Sequence, residues 1–266
     1  MREISLSDLE FNYFRKFIHG AAGISLSPAK KAMVVGRLTK RLKFHGLSSF
    51  GEYYRLLSRQ ADERQIAVDL LTTNETHFFR EPRHFELLRE RLLPSHPRER
   101  KFRVWSAACS SGEEVYTLAM VLSEVLGNAP WEVLGSDIST QVLERAESGL
   151  YSMERAKELS ESYLKRFCLK GIGSKEGSFA ISPTLRARVD FAQINLTEAL
   201  PFTETFDAIF LRNVMIYFQP DTKRQVVERL LSRLRPGGWL FVGHSESIHG
   251  LVDGLECIEP SVYVKP

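Results

Sequence analysis

Three short stretches of this 266-residue chain put polar side chains where an α/β sheet holds a ligand. The first is Trp105-Ser106-Ala107-Ala108-Cys109-Ser110-Ser111-Gly112-Glu113-Glu114. Its small residues follow an apolar strand, let a backbone approach a ligand closely, and lead into a helix. Only Gly112 is a glycine, so the stretch lacks G-x-G-x-x-G and reads equally as a plain strand-to-helix turn. The second, Gly135-Ser136-Asp137, ends a strand with an acid that can accept hydrogen bonds from both ribose hydroxyls. Asp137 can also cap the helix that follows, and the two roles are compatible. The third, Phe210-Leu211-Arg212-Asn213-Val214-Met215-Ile216-Tyr217-Phe218, brings Arg212 and Asn213 to the carboxyl end of another strand. A buried strand seldom ends in such a pair unless it meets a polar partner or caps a turn.

Charge narrows the ligand. Glu113 and Glu114 open a helix, and the helix dipole accounts for one of them with no ligand at all. The same charges would repel a pyrophosphate. The pattern therefore favours a cationic or neutral nucleoside cofactor over a dinucleotide. S-adenosylmethionine, with its sulfonium and ammonium and no phosphate, meets that demand.

The elements that must position these groups fall into two kinds. Residues 1–71 read as a helical bundle. Ser7-Asp8-Leu9-Glu10 is a cap signal ahead of Phe11, Phe14, Phe17 and Ile18. Ser27-Pro28 opens a second helix, whose Val34, Leu38 and Leu42 share one face and which ends at Gly46. Ser48 and Ser49 start a third, with Tyr53, Tyr54, Leu56 and Leu57 on its core side. A polar stretch, Thr72 to Thr76, leads to a helix that runs through Leu93 and stops at Pro94. From residue 101 strands and helices alternate. Strands are expected at 102–105, 131–135, 206–211 and 239–243, and helices at 115–125, 140–147 and 222–234, the last stopped by Pro236-Gly237-Gly238. Such alternation predicts a mostly parallel sheet covered by helices. Residues 152–188 interrupt it with a helical stretch, Met153 to Phe167, and glycine-punctuated short runs that read as a small inserted hairpin subdomain.

Composition excludes several classes. Hydrophobic residues at 43% and charged residues at 26% fit a folded soluble chain rather than a disordered one. No run approaches the roughly 20 apolar residues of a membrane span, and Met1-Arg2-Glu3-Ile4-Ser5 shows no apolar signal core, so a cytoplasmic location is expected. Cys109, Cys168 and Cys257 form no Cys-x-x-Cys, and His244 and His249 lie five apart, the wrong period to share a helix face, with no acidic partner to complete a metal set, so no metal site is expected. Residues 1–71 carry a surplus of five positive charges out of a net +3 for the chain, so basic charge is concentrated at the front.

Taken together, the motifs resemble the CheR-type chemotaxis receptor methyltransferases. The resemblance rests on Leu71-Thr72-Thr73-Asn74-Glu75-Thr76-His77-Phe78-Phe79-Arg80, on the Val104–Glu114 stretch, on Ser136-Asp137-Ile138 and on Arg212 to Phe218. Pro236 to Leu240 and Gly243-His244-Ser245-Glu246-Ser247 extend it over nearly the whole chain, in the family's order. It implies a helical amino-terminal domain over 1–75, a linker and lead-in helix over 76–100, and a Rossmann-like methyltransferase domain over 101–266 with an inserted small antiparallel β-subdomain at about 152–188. It implies transfer of a methyl group from S-adenosyl-L-methionine to receptor glutamates, leaving S-adenosyl-L-homocysteine. Asn74, Thr76, Arg80, Glu113, Asp137, Asn195, Leu196, Leu211, Arg212 and Asn213 match the family's cofactor contacts, and Arg80 and Tyr217 the pair nearest the transferred methyl.

The resemblance also implies partners. Lys30, Arg37 and Arg41 lie on one face of the second helix, which in the family faces the acidic methylation helices of a chemoreceptor. The same stripe also fits an ordinary solvated surface. The loop from Leu169 to Gly177 is similar to one that goes with docking a receptor's carboxyl-terminal peptide by strand addition, although an ordinary hairpin turn has the same pattern. Recruitment to membrane receptor arrays would follow. A nucleic-acid methyltransferase would suit the basic front, but the chain has neither an Asn-Pro-Pro-Tyr motif nor a basic–aromatic stacking surface. A catalytically silent cofactor-binding scaffold is the remaining alternative, and Arg80, Asp137 and Tyr217 speak against it.

Overall fold

A computed structural model describes residues 4–266; Met1–Glu3 of the leading segment lie outside the described residues. Four helices come first: α1 (Asp8–Ala22), α2 (Lys31–Phe44, entered by a 3-10 turn at Pro28–Lys30), α3 (Phe50–Leu57) and α4 (Ala61–Leu71). The Ser7 hydroxyl accepts from the Glu10 N–H while the Glu10 carboxylate accepts from the Ser7 N–H, a reciprocal cap. Phe14, Ile18, Val34, Leu38, Leu42, Phe50 and Tyr53 are fully buried between these helices.

Helix α5 (Arg83–Leu87) continues through a π-helical segment, Leu88–Leu92, into a 3-10 turn, Leu93–Ser95. The expected single helix thus changes its winding near Pro94, which cannot donate the N–H an α-helix needs there. Then follow β1 (Phe102–Ser106), α6 (Glu113–Leu126), β2 (Trp131–Asp137) and α7 (Thr140–Ser148). A separate three-stranded antiparallel sheet has β3 (Leu150–Ser152) and β4 (Cys168–Lys170) as its edges and β5 (Ser178–Ile181) between them. The expected helix from Met153 to Phe167 is instead a 3-10 turn, Met153–Ala156, and a short α8 (Glu161–Phe167). The Ser160 hydroxyl caps α8 through the Tyr163 N–H, while the Met153 N–H is drawn to the Gly177 carbonyl, so the two pieces have different anchors.

After α9 (Pro183–Arg186) come β6 (Val189–Gln193), β7 (Phe206–Leu211), α10 (Pro220–Leu231), β8 (Leu234–Val242), β9 (Glu256–Glu259) and β10 (Val262–Val264). The main sheet runs β6-β2-β1-β7-β8-β10-β9. Its first five strands are parallel and the last two antiparallel. Pro236-Gly237-Gly238 does not stop the preceding helix, which ends at Leu231, but lies within β8 where the pairing with β7 shifts register. The Gly237 N–H there reaches the Lys265 carbonyl. Each face of the sheet has its own core. Ala208 and Phe210 of β7 point toward α6 and α5, while Ile209 and Leu211 point into a core that also contains α10 and the four amino-terminal helices. The helical domain is therefore packed on one face of the sheet.

Two members of the expected basic stripe are committed inside this domain. Arg41 binds the buried Glu63 carboxylate, which also accepts from Tyr53 Oη at 2.7 Å and lies 2.9 Å from His45 Nε2. Arg37 donates to the Thr72 carbonyl at 2.6 Å and the Leu70 carbonyl at 3.2 Å, tying α2 to the segment after α4. Only Lys30 of the three is an exposed cation without an ion-pair partner among the described residues. Arg37 and Arg41 lie on α2, and their partners, in α4 and just after it, are 22 to 35 residues away along the chain.

Burial alone would raise the Glu63 carboxyl, yet the hydrogen bonds from Arg41, Tyr53 and His45 outweigh it and hold it down to about 2. A depressed carboxyl contributes stability above its unfolded value and loses it as pH falls through the folded one. Glu63→Gln should therefore flatten the loss of stability between about pH 4.5 and about pH 2. Arg41→Ala, which strands the buried carboxylate, should cost on the order of 3 kcal/mol. Urea unfolding of both variants across pH measures the two effects.

Candidate cofactor site

The chain passes from β1 to β2 and β6 on one side of the sheet, then crosses to β7 and β8 on the other. Such a reversal opens a crevice at the carboxyl ends of β1 and β7. A cavity lies there. Its walls are Ala107 and Ala108 after β1, Asp137 and Ile138 after β2, Ile194 to Leu196 after β6, and Arg212 to Val214 after β7. The linker covers it with residues Thr72 to Thr76 and Arg80, and the α1–α2 loop closes it with Ala22 and Ile24. Tyr217 also lines it.

Of the residues expected to contact a cofactor, Asn74, Thr76, Arg80, Asp137, Asn195, Leu196, Arg212 and Asn213 line this cavity, and so does Tyr217. Glu113 does not. It is wholly buried on the far side of the loop, where its carboxylate takes the Ser111 hydroxyl at 2.7 Å and the Arg155 guanidinium from the inserted subdomain. Glu114 faces the cavity instead. Neighbouring residues at a helix start point about 100° apart, and packing against the inserted subdomain decides which one turns inward. Leu211 is also displaced: it is fully buried in the core beneath the sheet, because side chains alternate along a strand and Arg212 takes the crevice.

Asp137 accepts from the Ser110 N–H at 2.9 Å and the Ser139 N–H at 3.0 Å. It thus pins the loop after β1 to the end of β2 while keeping a face on the cavity. Gly112 turns that loop at φ +91°, where a Cβ would come within 2.8 Å of Ala146. Asn195 spends its amide on the Ala21 carbonyl at 2.9 Å, joining the helical domain to the sheet. Ser25 N–H donates to the Tyr217 carbonyl, and Ile24 bridges Phe218, so the same loop also fixes the Tyr217 turn.

Arg212 is the buried centre of the far wall. Its guanidinium lies 3.3 Å from Glu81 and 3.2 Å from Glu114, and donates to the Arg80 carbonyl. Phe79 and Glu81, on either side of Arg80, both have left-handed backbone, at φ 51° and 56°. Such conformations cost of order 1–3 kcal/mol each and hold only where surroundings enforce them. Here the enforcement is the bond from Phe79 N–H to Thr117 Oγ1 and the Arg212 contacts to Arg80 and Glu81. Burial pushes the Glu114 and Asp137 carboxyls above their ordinary range, although Arg212 at Glu114 and the backbone N–H groups at Asp137 oppose it. Burial resists ionisation of Glu81 too, but Arg212, the His244 N–H and the Asn213 amide leave that carboxyl below its usual value.

Sequence spacing gave no sign that Glu81, His84 and His244 would meet. Their ligand-type atoms lie within 4.8 Å of one another, with Arg212 on the same Glu81 carboxylate. Burial, reinforced by Arg212, pulls the His84 imidazole down to about 3, so it is neutral.

Comparison with known proteins agrees with this geometry. Residues 9–72 match the family described as CheR methyltransferase, all-alpha domain, and residues 74–264 match CheR methyltransferase, SAM binding domain. A chemotaxis protein methyltransferase of Escherichia coli is 44% identical over 255 residues, covering 93% of this chain and 87% of that protein. Chemotaxis protein methyltransferase 2 of Pseudomonas aeruginosa is 43% identical over 241 residues, covering 90% and 86%. No helix among the described residues is long and apolar enough to cross a membrane. With an all-alpha domain followed by a Rossmann-like SAM binding domain, the chain belongs to the CheR methyltransferase family.

Proposed function

We propose that the protein transfers the methyl group of S-adenosylmethionine to glutamate side-chain carboxylates of chemoreceptors, giving glutamate methyl esters and S-adenosylhomocysteine. The observation that carries this reading is one cavity lined by the carboxylates Glu114 and Asp137, the cations Arg80 and Arg212, and Tyr217. The carboxylates suit the ammonium and the ribose of the cofactor. Asn74, Thr76, Asn195, Leu196 and Asn213 complete the walls around it. The cofactor supplies a methyl group on a sulfonium, already activated for transfer.

An acceptor glutamate has a pKa of about 4.3 and is ionised at neutral pH, so no general base is required. The residues have only to orient the carboxylate in line and keep water out. Arg80 takes the orienting role. Its guanidinium donates to the Glu75 carbonyl at 2.8 Å, and its backbone is fixed by Arg212. Tyr217 walls the transferred methyl. Recruitment to receptor arrays and docking of a receptor's carboxyl-terminal peptide belong to the same proposal. Strand β4 is an edge of the small sheet, with a free side of the kind strand addition uses, and Leu169 within it and Ile172 just after it are exposed.

The test is transfer of labelled methyl to receptor-containing membranes followed by mild alkali. Label released as methanol establishes a carboxyl methyl ester; label that survives alkali points to amine or nucleic-acid methylation. Arg80→Ala should lower turnover by at least about 100-fold while circular dichroism stays unchanged. Glu114→Gln should weaken cofactor binding about tenfold or more at neutral pH. In the wild type, protonation of the raised Glu114 and Asp137 carboxyls removes negative charge facing the cofactor. Cofactor affinity should therefore fall on acidification from above the ordinary carboxylate range, and Glu114→Gln should flatten that profile. Arg155→Gln should weaken cofactor binding through Glu113, and Arg155→Gln with Glu113→Gln should recover part of it; calorimetry reads all of these.

A further inference from the structure

We infer that a groove beside Tyr217 is the acceptor subsite, and that Met33 and Ile216 determine which receptor segments it accepts. This rests on the methyl-transfer reading above and assigns its substrate side. The groove has an apolar floor of Leu26, Met33 and Ile216, one cation, Lys30, on its rim, and no carboxylate in its lining. Thr73 and Tyr217 belong both to it and to the cofactor cavity, so the two spaces meet at the residue placed against the transferred methyl.

Three observations fix the occupant as an acidic segment with an apolar flank. Ile216 is 51% exposed although it sits on a short 3-10 turn immediately before Tyr217. That turn is rigidly held: Ile216 N–H donates to Glu246 Oε1 at 3.1 Å, and the Tyr217 carbonyl accepts from Ser25. Ile216 lines the groove together with Leu26, Met33 and Leu71, so its exposed side chain extends an apolar surface that a ligand in the groove would cover. Lys30 is the stripe cation left free once Arg37 and Arg41 are bound internally, and it is placed to steer a carboxylate toward Tyr217. The acceptor glutamate would pass Lys30 and enter at Tyr217, while the small or apolar residues of its own segment pack on Met33 and Ile216.

The experiment compares Ile216→Glu and Met33→Glu with the wild type, using a soluble cytoplasmic fragment of a chemoreceptor as acceptor. Three quantities are read: the dissociation constant of S-adenosylmethionine by calorimetry, binding of the fragment by fluorescence anisotropy, and KM against kcat for methanol-releasing transfer. Wild-type transfer to the fragment tests the acceptor reading by itself. Given that transfer, both variants should weaken fragment binding and raise its KM about tenfold or more, with cofactor affinity within about twofold of wild type. Unaltered cofactor binding also shows that the variants fold. Ile216→Val, which keeps the apolar contact, should restore the KM. Fragment binding and KM unchanged in both glutamate variants would overturn the assignment, as would a loss confined to kcat.

Discussion

The rest of the site depends on one buried guanidinium. Arg212, almost without exposure, is held between Glu81 of the linker and Glu114 of α6, and it also caps the Arg80 carbonyl. A charge so buried is tolerable only with such partners, and removing any of them leaves an expensive orphan. The consequence is geometric. Three segments far apart in sequence, residues near 80, 114 and 212, are locked into one register at the mouth of the crevice. The left-handed backbone at Phe79 and Glu81 is sustained by the same contacts, so Arg80 is presented on a stiff support rather than on a loose loop.

Around that lock, two cores divide the labour. One face of the sheet is sealed by α5 and α6, together with the inserted subdomain. The other is sealed by α10 and by the four amino-terminal helices. The helical domain is thereby part of the sheet's own packing. Its α1–α2 loop can reach the crevice only because the core beneath fixes where that loop arrives. Asn195 to Ala21, Ser25 to Tyr217 and Arg37 to Thr72 are the polar stitches along this seam. They join the bundle to the sheet around the crevice.

The inserted subdomain enters the same mechanical scheme from the back of the loop. Tyr151 Oη donates to the Ser111 carbonyl at 2.7 Å, and Arg155 neutralises Glu113. The cofactor loop is thus clamped between Asp137 in front and the subdomain behind. A buried carboxylate at this position serves the loop's shape, while the next residue serves the cavity.

The amino-acid sequence by itself determined the class of fold, the serine caps of α1 and α3 (though not one at Ser27, whose side chain makes no capping bond), the strand ends that carry Asp137, Arg212 and Asn213, and the family. These follow from local patterns: hydrophobic period, capping residues and contiguous motifs. It also announced an inserted β segment, but not the break of Met153–Phe167 into two pieces, because the competing anchor was Gly177, far along the chain. The edge strands β6 and β9 carried weak signals, since they lie at the sheet's margins and are only partly buried. Tertiary structure alone turned Glu114 rather than Glu113 to the cavity, turned Leu211 into the core, and tied the half-buried Arg37 and Arg41 to partners elsewhere in the chain. Each of those choices rests on a partner that no local spacing reveals: Arg155 for Glu113, the alternate face of β7 for Leu211, the Thr72 carbonyl for Arg37 and Glu63 for Arg41. Periodicity tells which residues share a face, but only the packed chain decides what that face meets.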